Sequence, residues 1–175
     1  LVAMRPDAQL ASTLGIVAAG SSTSEGYFAL NPANTFADGF PATTLPFHGQ
    51  ATNFSAAGGS TVIATLYSNA TTATSFPAVV RSGRTFTWTY DLARSVVYTR
   101  QGNPANASDR DGTPPYRTED IFYQAIDRDK VGIPYADVQM RMFARAINDL
   151  LSDLMPLPQL WYFPGSNRTL MVVTS

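Results

Sequence analysis

The fold is decided by the stretch TFTWTYDLARSVVYTRQG, residues 85–102, in which one periodicity gives way to another. Phe86, Trp88 and Tyr90 alternate with threonines, and this alternation is typical of a β-strand because successive side chains point to opposite faces. At Asp91 the alternation ends, and the following residues favour a helix capped by the Asp91 carboxylate. We therefore predict a strand that leads directly into a helix.

Junctions of this kind are where α/β proteins bind ligands, at the carboxyl edge of the sheet. Asp91 and Arg94 at the helix start, together with His48, the only histidine, are the candidate ligand-edge residues. No catalytic set surrounds them, because the chain has no G-x-S-x-G motif and one histidine cannot form a histidine-rich metal site. Ser95 favours local hydrogen bonding. We predict no catalytic residue, no metal site and no cofactor, and a structural or surface role for His48.

Aromatic side chains admit two interpretations, a platform that stacks on sugar rings or ordinary core packing. The residues concerned are Phe86, Trp88, Tyr90, Trp161, Tyr162 and Phe163. We favour core packing, since Trp88 lies in the middle of an alternating strand.

The acidic stretch DRDG, residues 109–112, resembles part of a calcium loop but lacks its alternating ligands and distal glutamate, so solvated loop charge is the better interpretation. A carboxylate pair for glycoside chemistry stays open, with nothing in its favour.

Composition narrows the class of protein. The 175 residues are 45% hydrophobic, which is typical of one globular domain, but only 14% are charged, against about a quarter on average. A net charge of -1 gives no electrostatic reason to expect nucleic acid or an anionic membrane as partner. No apolar run approaches the roughly 20 residues of a membrane span. The absence of cysteine excludes disulfides and thiolate chemistry.

Four N-x-S/T sequons stand out among only eight asparagines. They begin at Asn53, Asn69, Asn106 and Asn167. All four fall in predicted loops or strand ends, where an N-glycan can be accommodated. Although a composition rich in serine and threonine also raises the number of sequons by chance, we predict N-glycosylation and an extracellular or cell-surface location.

The first half of the chain gives weaker patterns. DAQLASTLGI predicts a helix with Asp7 as cap and Gly15 as terminator. Residues 20–50 are predicted to form a long loop excursion that contains short strands. Strands follow at GQATNFSA and STVIATLYS, and FPAVVRSGRTFTWTY predicts a hairpin that turns at Ser82-Gly83.

The clearest helix is predicted from Pro134 to about Met155, as a long C-terminal amphipathic helix. Its apolar stripe is formed by Phe143, Ile147, Leu150 and Leu154. We expect one α/β domain over residues 1–160, with a β-rich insert at about 20–82. Residues 161–175 are expected to form an extended segment and a strand that lead into a further domain.

Several long segments resemble a known family: YDLARSVVYTRQGNPA, EDIFY, IPYADVQMRMFARAINDLL and PLPQLWYFP followed by LMVVTS. They are similar to bacterial secreted proteins in which a glutamine-amidotransferase-like α/β domain precedes a polysaccharide-deacetylase-like domain. The resemblance implies part of a flavodoxin-like, class I amidotransferase-like sheet whose last strand is residues 85–90. It makes LMVVTS the first strand of the next domain. Neither activity carries over, because the chain lacks the cysteine of an amidotransferase triad and the two histidines of a metal-dependent deacetylase.

Three functions are compatible with these patterns. The first is a non-catalytic extracellular structural or assembly module, N-glycosylated and linked to carbohydrate chemistry. The second is a subunit of a self-assembling filament or shell, with identical chains as partners that pair through open strand edges. The third is a fragment of a metal-dependent carbohydrate esterase that ends before its active site. Glycans are the other partners expected.

Overall fold

In a computed structural model of the chain, residues 1–108, 114–115, 117–122 and 126–155 are described. Eight strands and two α-helices occur in these ranges. They are β1 (Val2–Met4), β2 (Ile16–Ser24), β3 (Tyr27–Leu30), β4 (Leu45–Pro46), β5 (Gln50–Ala56), β6 (Thr61–Tyr67), β7 (Ala73–Ser82), β8 (Thr85–Trp88), α1 (Leu92–Gln101) and α2 (Tyr135–Leu151). Short 3₁₀ turns occupy Ala8–Leu10, Thr35–Ala37, Pro104–Asn106, Thr118–Phe122 and Arg128–Lys130.

Six strands form one sheet in the order β1-β8-β7-β6-β3-β4, and β2 pairs with β5 in a second, two-stranded sheet. The chain is therefore a mixed α/β fold. Only β1 and β8 pair in parallel among the described strands, and the other ladders are antiparallel. A flavodoxin-like sheet is built from parallel strands, so this finer expectation does not fit the described residues. Four of the six strands lie between residues 20 and 82, and that segment builds most of the sheet.

The predicted hairpin before the junction is confirmed, although its turn lies one residue later than the predicted Ser82-Gly83. Ser82 pairs with Thr85, which leaves a two-residue turn of Gly83 and Arg84. Gly83 has a φ of +53°, the left-handed conformation that such tight turns require and that glycine adopts at little cost.

The aromatic face of β8 is core, as the sequence predicted. Phe86, Trp88 and Tyr90 are all 0% exposed. The indole of Trp88 meets the ring of Phe143 from α2 edge-on, with centroids 6.3 Å apart. Because these three rings cannot reach solvent, they cannot serve as a sugar-stacking platform. Trp161, Tyr162 and Phe163, the calcium-like DRDG stretch and the LMVVTS strand lie outside the described residues.

The threonine face of the same segment is also buried. Thr87 and Thr89 are fully enclosed, because β5 lies across this side of the sheet. The N–H of Thr52 in β5 donates to the carbonyl of Thr89 over 2.9 Å. A smaller apolar cluster lies on this side and is formed by Ala11, Leu14, Ile16, Phe54 and Val80. The end of β8 is therefore covered by protein on both faces.

The helix predicted from DAQLASTLGI is wrong. Only Ala8–Leu10 forms a 3₁₀ turn, although the Asp7 carboxylate caps it by accepting from the N–H of Gln9 at 2.8 Å. The chain then turns at Gly15, whose φ is +69°, and enters β2. β2 also replaces the first part of the predicted loop excursion over residues 20–50. Burial of Ala11 and Leu14 in the smaller cluster outweighs the local helix propensity.

Helix α2 ends at Leu151, earlier than the predicted end near Met155. Its buried stripe also differs from the predicted one: Leu154 is 67% exposed, while Phe143 and Ile147 are half-buried. The buried positions recur every four residues at Val138, Met142, Ala146 and Leu150. None of the helices in the described ranges has the length and apolar character needed to cross a membrane.

Candidate functional site

The junction between β8 and α1 is built as the sequence predicted. Asp91 is the N-cap of α1, and its Oδ1 accepts the N–H of Arg94 at 2.9 Å. The Arg94 guanidinium also lies 3.9 Å from the other Asp91 oxygen. This confirms the capped helix start and brings two of the three predicted ligand-edge residues together.

A segment from a distant part of the chain crosses this junction. We call residues 47–49, which follow β4, the strap. The ring of Phe47 stacks on the ring of Tyr90, with centroids 4.7 Å apart. The backbone N–H of His48 donates to Ser95 Oγ at 3.0 Å, and the Arg94 side chain lies over Gly49. The edge of the sheet at which a ligand was expected is therefore covered by the chain itself.

His48, the third predicted residue, is only 4% exposed. Its Nδ1 lies 2.9 Å from Oε2 of Glu25, a residue that the sequence patterns did not single out. Because a carboxylate only accepts hydrogen bonds, Nδ1 carries a proton and donates it to Glu25. Nε2 of His48 is buried and has no hydrogen-bond partner within the described residues.

Glu25 holds the strap through two further hydrogen bonds. Its Oε1 accepts the N–H of Gly49 at 2.6 Å, and its own N–H donates to the Gly49 carbonyl at 2.9 Å. Partial burial alone would raise the pKa of the Glu25 carboxyl, but the hydrogen bonds from His48 and Gly49 outweigh burial and lower that pKa. The Glu25 backbone has a φ of +47°, which is uncommon for a residue other than glycine.

Tyr135 lies beside the histidine and interacts in turn with Asp127, which also binds Tyr27. The ring centroid of Tyr135, at the start of α2, is 6.4 Å from that of His48. Burial and a hydrogen bond to Asp127 raise the pKa of Tyr27 to about 12. Burial, with a smaller effect of Asp127, also raises the pKa of Tyr135. Both phenols therefore stay neutral near pH 7.

The arrangement does not assemble a nucleophile and its base. A general base must lie within hydrogen-bond reach of the proton that it removes. The hydroxyl of Ser95 contacts the backbone of His48, whereas the imidazole is bound to Glu25. In the described part of the chain, no group of three or more His, Asp or Glu side chains could hold a metal ion. His48 instead connects Glu25, the strap and helix α1 through hydrogen bonds.

The predicted glycosylation sites differ in their surroundings. Asn53 lies within β5 rather than in a loop, and it is 4% exposed. Its Nδ2 donates to Ser21 Oγ and its Oδ1 accepts from Thr23 Oγ1, each at 3.0 Å. A glycan on Nδ2 would have to displace this packing, so the folded chain does not offer Asn53 as an acceptor.

Asn69 has the opposite environment. It lies exposed in the turn between β6 and β7, where its Oδ1 accepts the N–H groups of Thr71 and Thr72. Asn106 is half-buried at the end of a 3₁₀ turn, and Asn167 lies outside the described residues. The sequon pattern alone cannot distinguish these environments, because it carries no information on burial.

Sequence reasoning missed Glu25 because its partners are 23 and 24 residues away. The one available signal is the neighbouring dipeptide Glu25-Gly26, which is typical of a turn. Such a signal predicts a change of direction but not a partner.

Comparison with models of known protein families and with curated protein sequences gives no match. Among solved structures, the chain is similar to the crystal structure of a glutamine amidotransferase from Thermotoga maritima. The two are 14% identical, and the TM-score is 0.44. The similarity covers 86% of this chain and 61% of the amidotransferase, so the chain spans less than two thirds of that protein's length. It is a likeness of fold alone.

Proposed function

We propose that the chain is a non-catalytic structural module of an extracellular protein, glycosylated at Asn69 and associated with carbohydrate chemistry. The observation that carries this proposal is the strap, which fills the ligand edge of the sheet with Phe47 and His48. In a ligand-binding α/β protein this edge is open as a crevice. In this chain the polar groups at that edge form hydrogen bonds between segments that are distant in the sequence.

The histidine supports the same conclusion. His48 is bonded through Nδ1 to Glu25 and through its backbone N–H to Ser95. These contacts connect the corner after β2, the strap and helix α1. A residue bound in this way stabilises a fold, while catalysis would require the imidazole to face a nucleophile or substrate.

A double-mutant cycle tests the structural role. We expect Glu25→Ala and His48→Ala each to lower the free energy of unfolding in urea. Their effects should be non-additive by about 0.5–3 kcal/mol, because neighbouring residues that share an interaction couple in this range. An exposed residue of α2 that is not part of the network, Asn148, provides the control as Asn148→Ala. Unchanged stability of His48→Ala would overturn the structural role.

The glycan part of the proposal is tested separately by intact mass. Protein secreted from a host that N-glycosylates should lose mass on enzymatic deglycosylation. Asn69→Gln should remove one glycan, whereas Asn148→Gln, which changes no sequon, should leave the mass of the glycans unaltered. An unmodified wild-type mass would remove both the glycan and the main argument for an extracellular location.

The two alternatives have less support. Self-assembly through the edges of the six-stranded sheet is disfavoured by β1, which has three residues, and by β4, which has two and contains Pro46. Short edge strands and proline are features that limit edge-to-edge pairing. A fragment of a metal-dependent carbohydrate esterase would need an acid- and histidine-containing segment in a longer form of the chain, and sequencing of the full reading frame would show it.

A further inference from the structure

The strap is held against the β8–α1 junction at three places. Phe47 stacks on Tyr90, the N–H of His48 donates to Ser95, and the Glu25 carboxylate accepts from both His48 and Gly49. The Glu25 carboxylate is the acidic group among these contacts, and its side chain is 51% exposed.

We propose that Glu25 is an acid-sensitive latch, and that neutralising its carboxylate releases the strap from the junction while the sheet beneath stays folded.

The chemistry of the latch follows from its hydrogen bonds. An ionised carboxylate makes hydrogen bonds about twice as strong as a neutral acceptor does. Protonation of Glu25 therefore weakens its bonds to the N–H of Gly49 and to the His48 ring together.

The backbone favours movement once these bonds are lost. Glu25, with a φ of +47°, occupies a strained conformation that persists only where its surroundings hold it. Gly49, with a φ of +93°, lies at the other end of the same bonds and has the conformational freedom to act as a hinge. Breaking the bonds relieves the strain at Glu25, so the two effects act in the same direction.

Other ionisable groups face the latch and must be separated from it. Arg94 and Asp91 lie on the α1 side, Tyr135 on the α2 side, and Tyr27 with Asp127 on the β3 side. The two tyrosines are neutral throughout the acidic range. Asp91 and Asp127 are carboxylates, but Asp91 caps α1 and Asp127 binds Tyr27 and the N–H of Asp129. A variant at Glu25 itself therefore distinguishes the latch from these neighbours.

The sheet beneath is held by bonds that do not titrate. The N–H of Thr89 donates to the Ala78 carbonyl at 2.9 Å, and both residues are buried. Acid that opens the latch should leave this backbone bond in place. Release would uncover the Tyr90 ring and the Ser95 hydroxyl at the carboxyl edge of the sheet.

Amide hydrogen exchange on the whole chain, followed by NMR between pH 6 and 3.5 and corrected for the intrinsic exchange rate, tests the proposal. In the wild type we expect the protection of the Gly49 amide to fall by up to about tenfold per pH unit as the pH drops below the ordinary pKa of a glutamate, and to level off below the lowered pKa of Glu25 in the folded chain, as linkage requires. Protection of the Thr89 amide should be unchanged. Glu25→Gln should show the same low Gly49 protection at every pH, and Asp149→Asn in α2 should behave as the wild type.

Three results would overturn the latch. Gly49 and Thr89 could lose protection together, which would indicate global acid unfolding. Gly49 could keep its protection at pH 3.5, or Glu25→Gln could retain the wild-type pH profile. Should Glu25→Gln fail to fold, Glu25→Asn supplies a neutral side chain that tolerates the left-handed backbone, and the same loss of pH dependence is expected.

Discussion

The backbone N–H of His48 donates to Ser95 Oγ at 3.0 Å, although the two residues are 47 positions apart. Both are buried, so neither group has water as an alternative partner. This bond fixes the strap on the first turns of helix α1. It explains why a serine occupies the buried face of that helix, where an apolar side chain is more usual.

Replacing that serine should destabilise the fold. In Ser95→Ala the N–H of His48 is left buried without an acceptor, which costs about 1–3 kcal/mol. The free energy of unfolding in urea measures the loss. The exposed Ser12→Ala should change stability by less than about 0.5 kcal/mol, since surface substitutions have small effects. Equal stability of the two variants would contradict a structural role for the bond.

The cap of helix α1 gives a second prediction. Asp91→Ala removes the acceptor of the Arg94 N–H and should cost about 1 kcal/mol of stability, while Asp91→Ser should restore most of it. Thermal unfolding followed by circular dichroism measures both variants. If Asp91→Ser were as unstable as Asp91→Ala, the carboxylate charge rather than capping would be responsible.

A third prediction concerns the turn that replaces the expected first helix. Gly15 has a φ of +69°, and a Cβ at this position would overlap the Ser82 side chain. We expect Gly15→Ala to destabilise the protein by more than about 1 kcal/mol, because backbone strain and overlap both oppose it. Gly58→Ala is the matched control, since a Cβ there has open space around it. Equal urea midpoints for the two variants would show that the turn tolerates a side chain.

The fourth prediction concerns alkaline pH. The pKa of Tyr27 is raised to about 12 in the folded chain from its ordinary value of 10.0, so Tyr27 contributes stability that is fully present below pH 10. That contribution is lost as the pH rises through 12. Ultraviolet titration of tyrosinate should lose a component near pH 12 in Tyr27→Phe.

Asp127→Asn provides the companion measurement. Removing the negative charge and the acceptor should lower the pKa of Tyr27 towards its ordinary value, and the component should move to lower pH. An unchanged titration curve in both variants would exclude the Tyr27–Asp127 interaction.

Local sequence patterns were sufficient to predict those features that are formed by residues close together in the sequence. The β7–β8 hairpin and the Asp91 cap depend on residues within a few positions of one another. The prediction of a first helix was wrong because the helix propensity of DAQLASTLGI competes with the burial of Ala11 and Leu14. These two residues pack in a cluster with a residue of β7, a strand more than 60 residues away in the sequence. Propensity is a weak prior when tertiary packing of this kind opposes it.

The candidate site was only partly predictable for the same reason. Asp91 and Arg94 follow from the change of period at the end of β8, and His48 was a candidate only because it is the single histidine. Nothing in the sequence pairs it with Glu25 or Ser95, since all three lie in different elements. Asn53 shows the complementary failure: a surface motif was predicted, but the alternation of β5 turns its side chain inward.

The parallel pairing of β1 with β8 has a consequence for the order of folding. The N–H of Phe86 donates to the Leu1 carbonyl at 3.0 Å, so the first strand pairs with a partner more than 80 residues later. Closing so long a loop is entropically costly, and pairings of this kind form late and slowly. During synthesis, β1 must stay unpaired until the β7–β8 hairpin has been made, and only then can it complete its edge of the sheet.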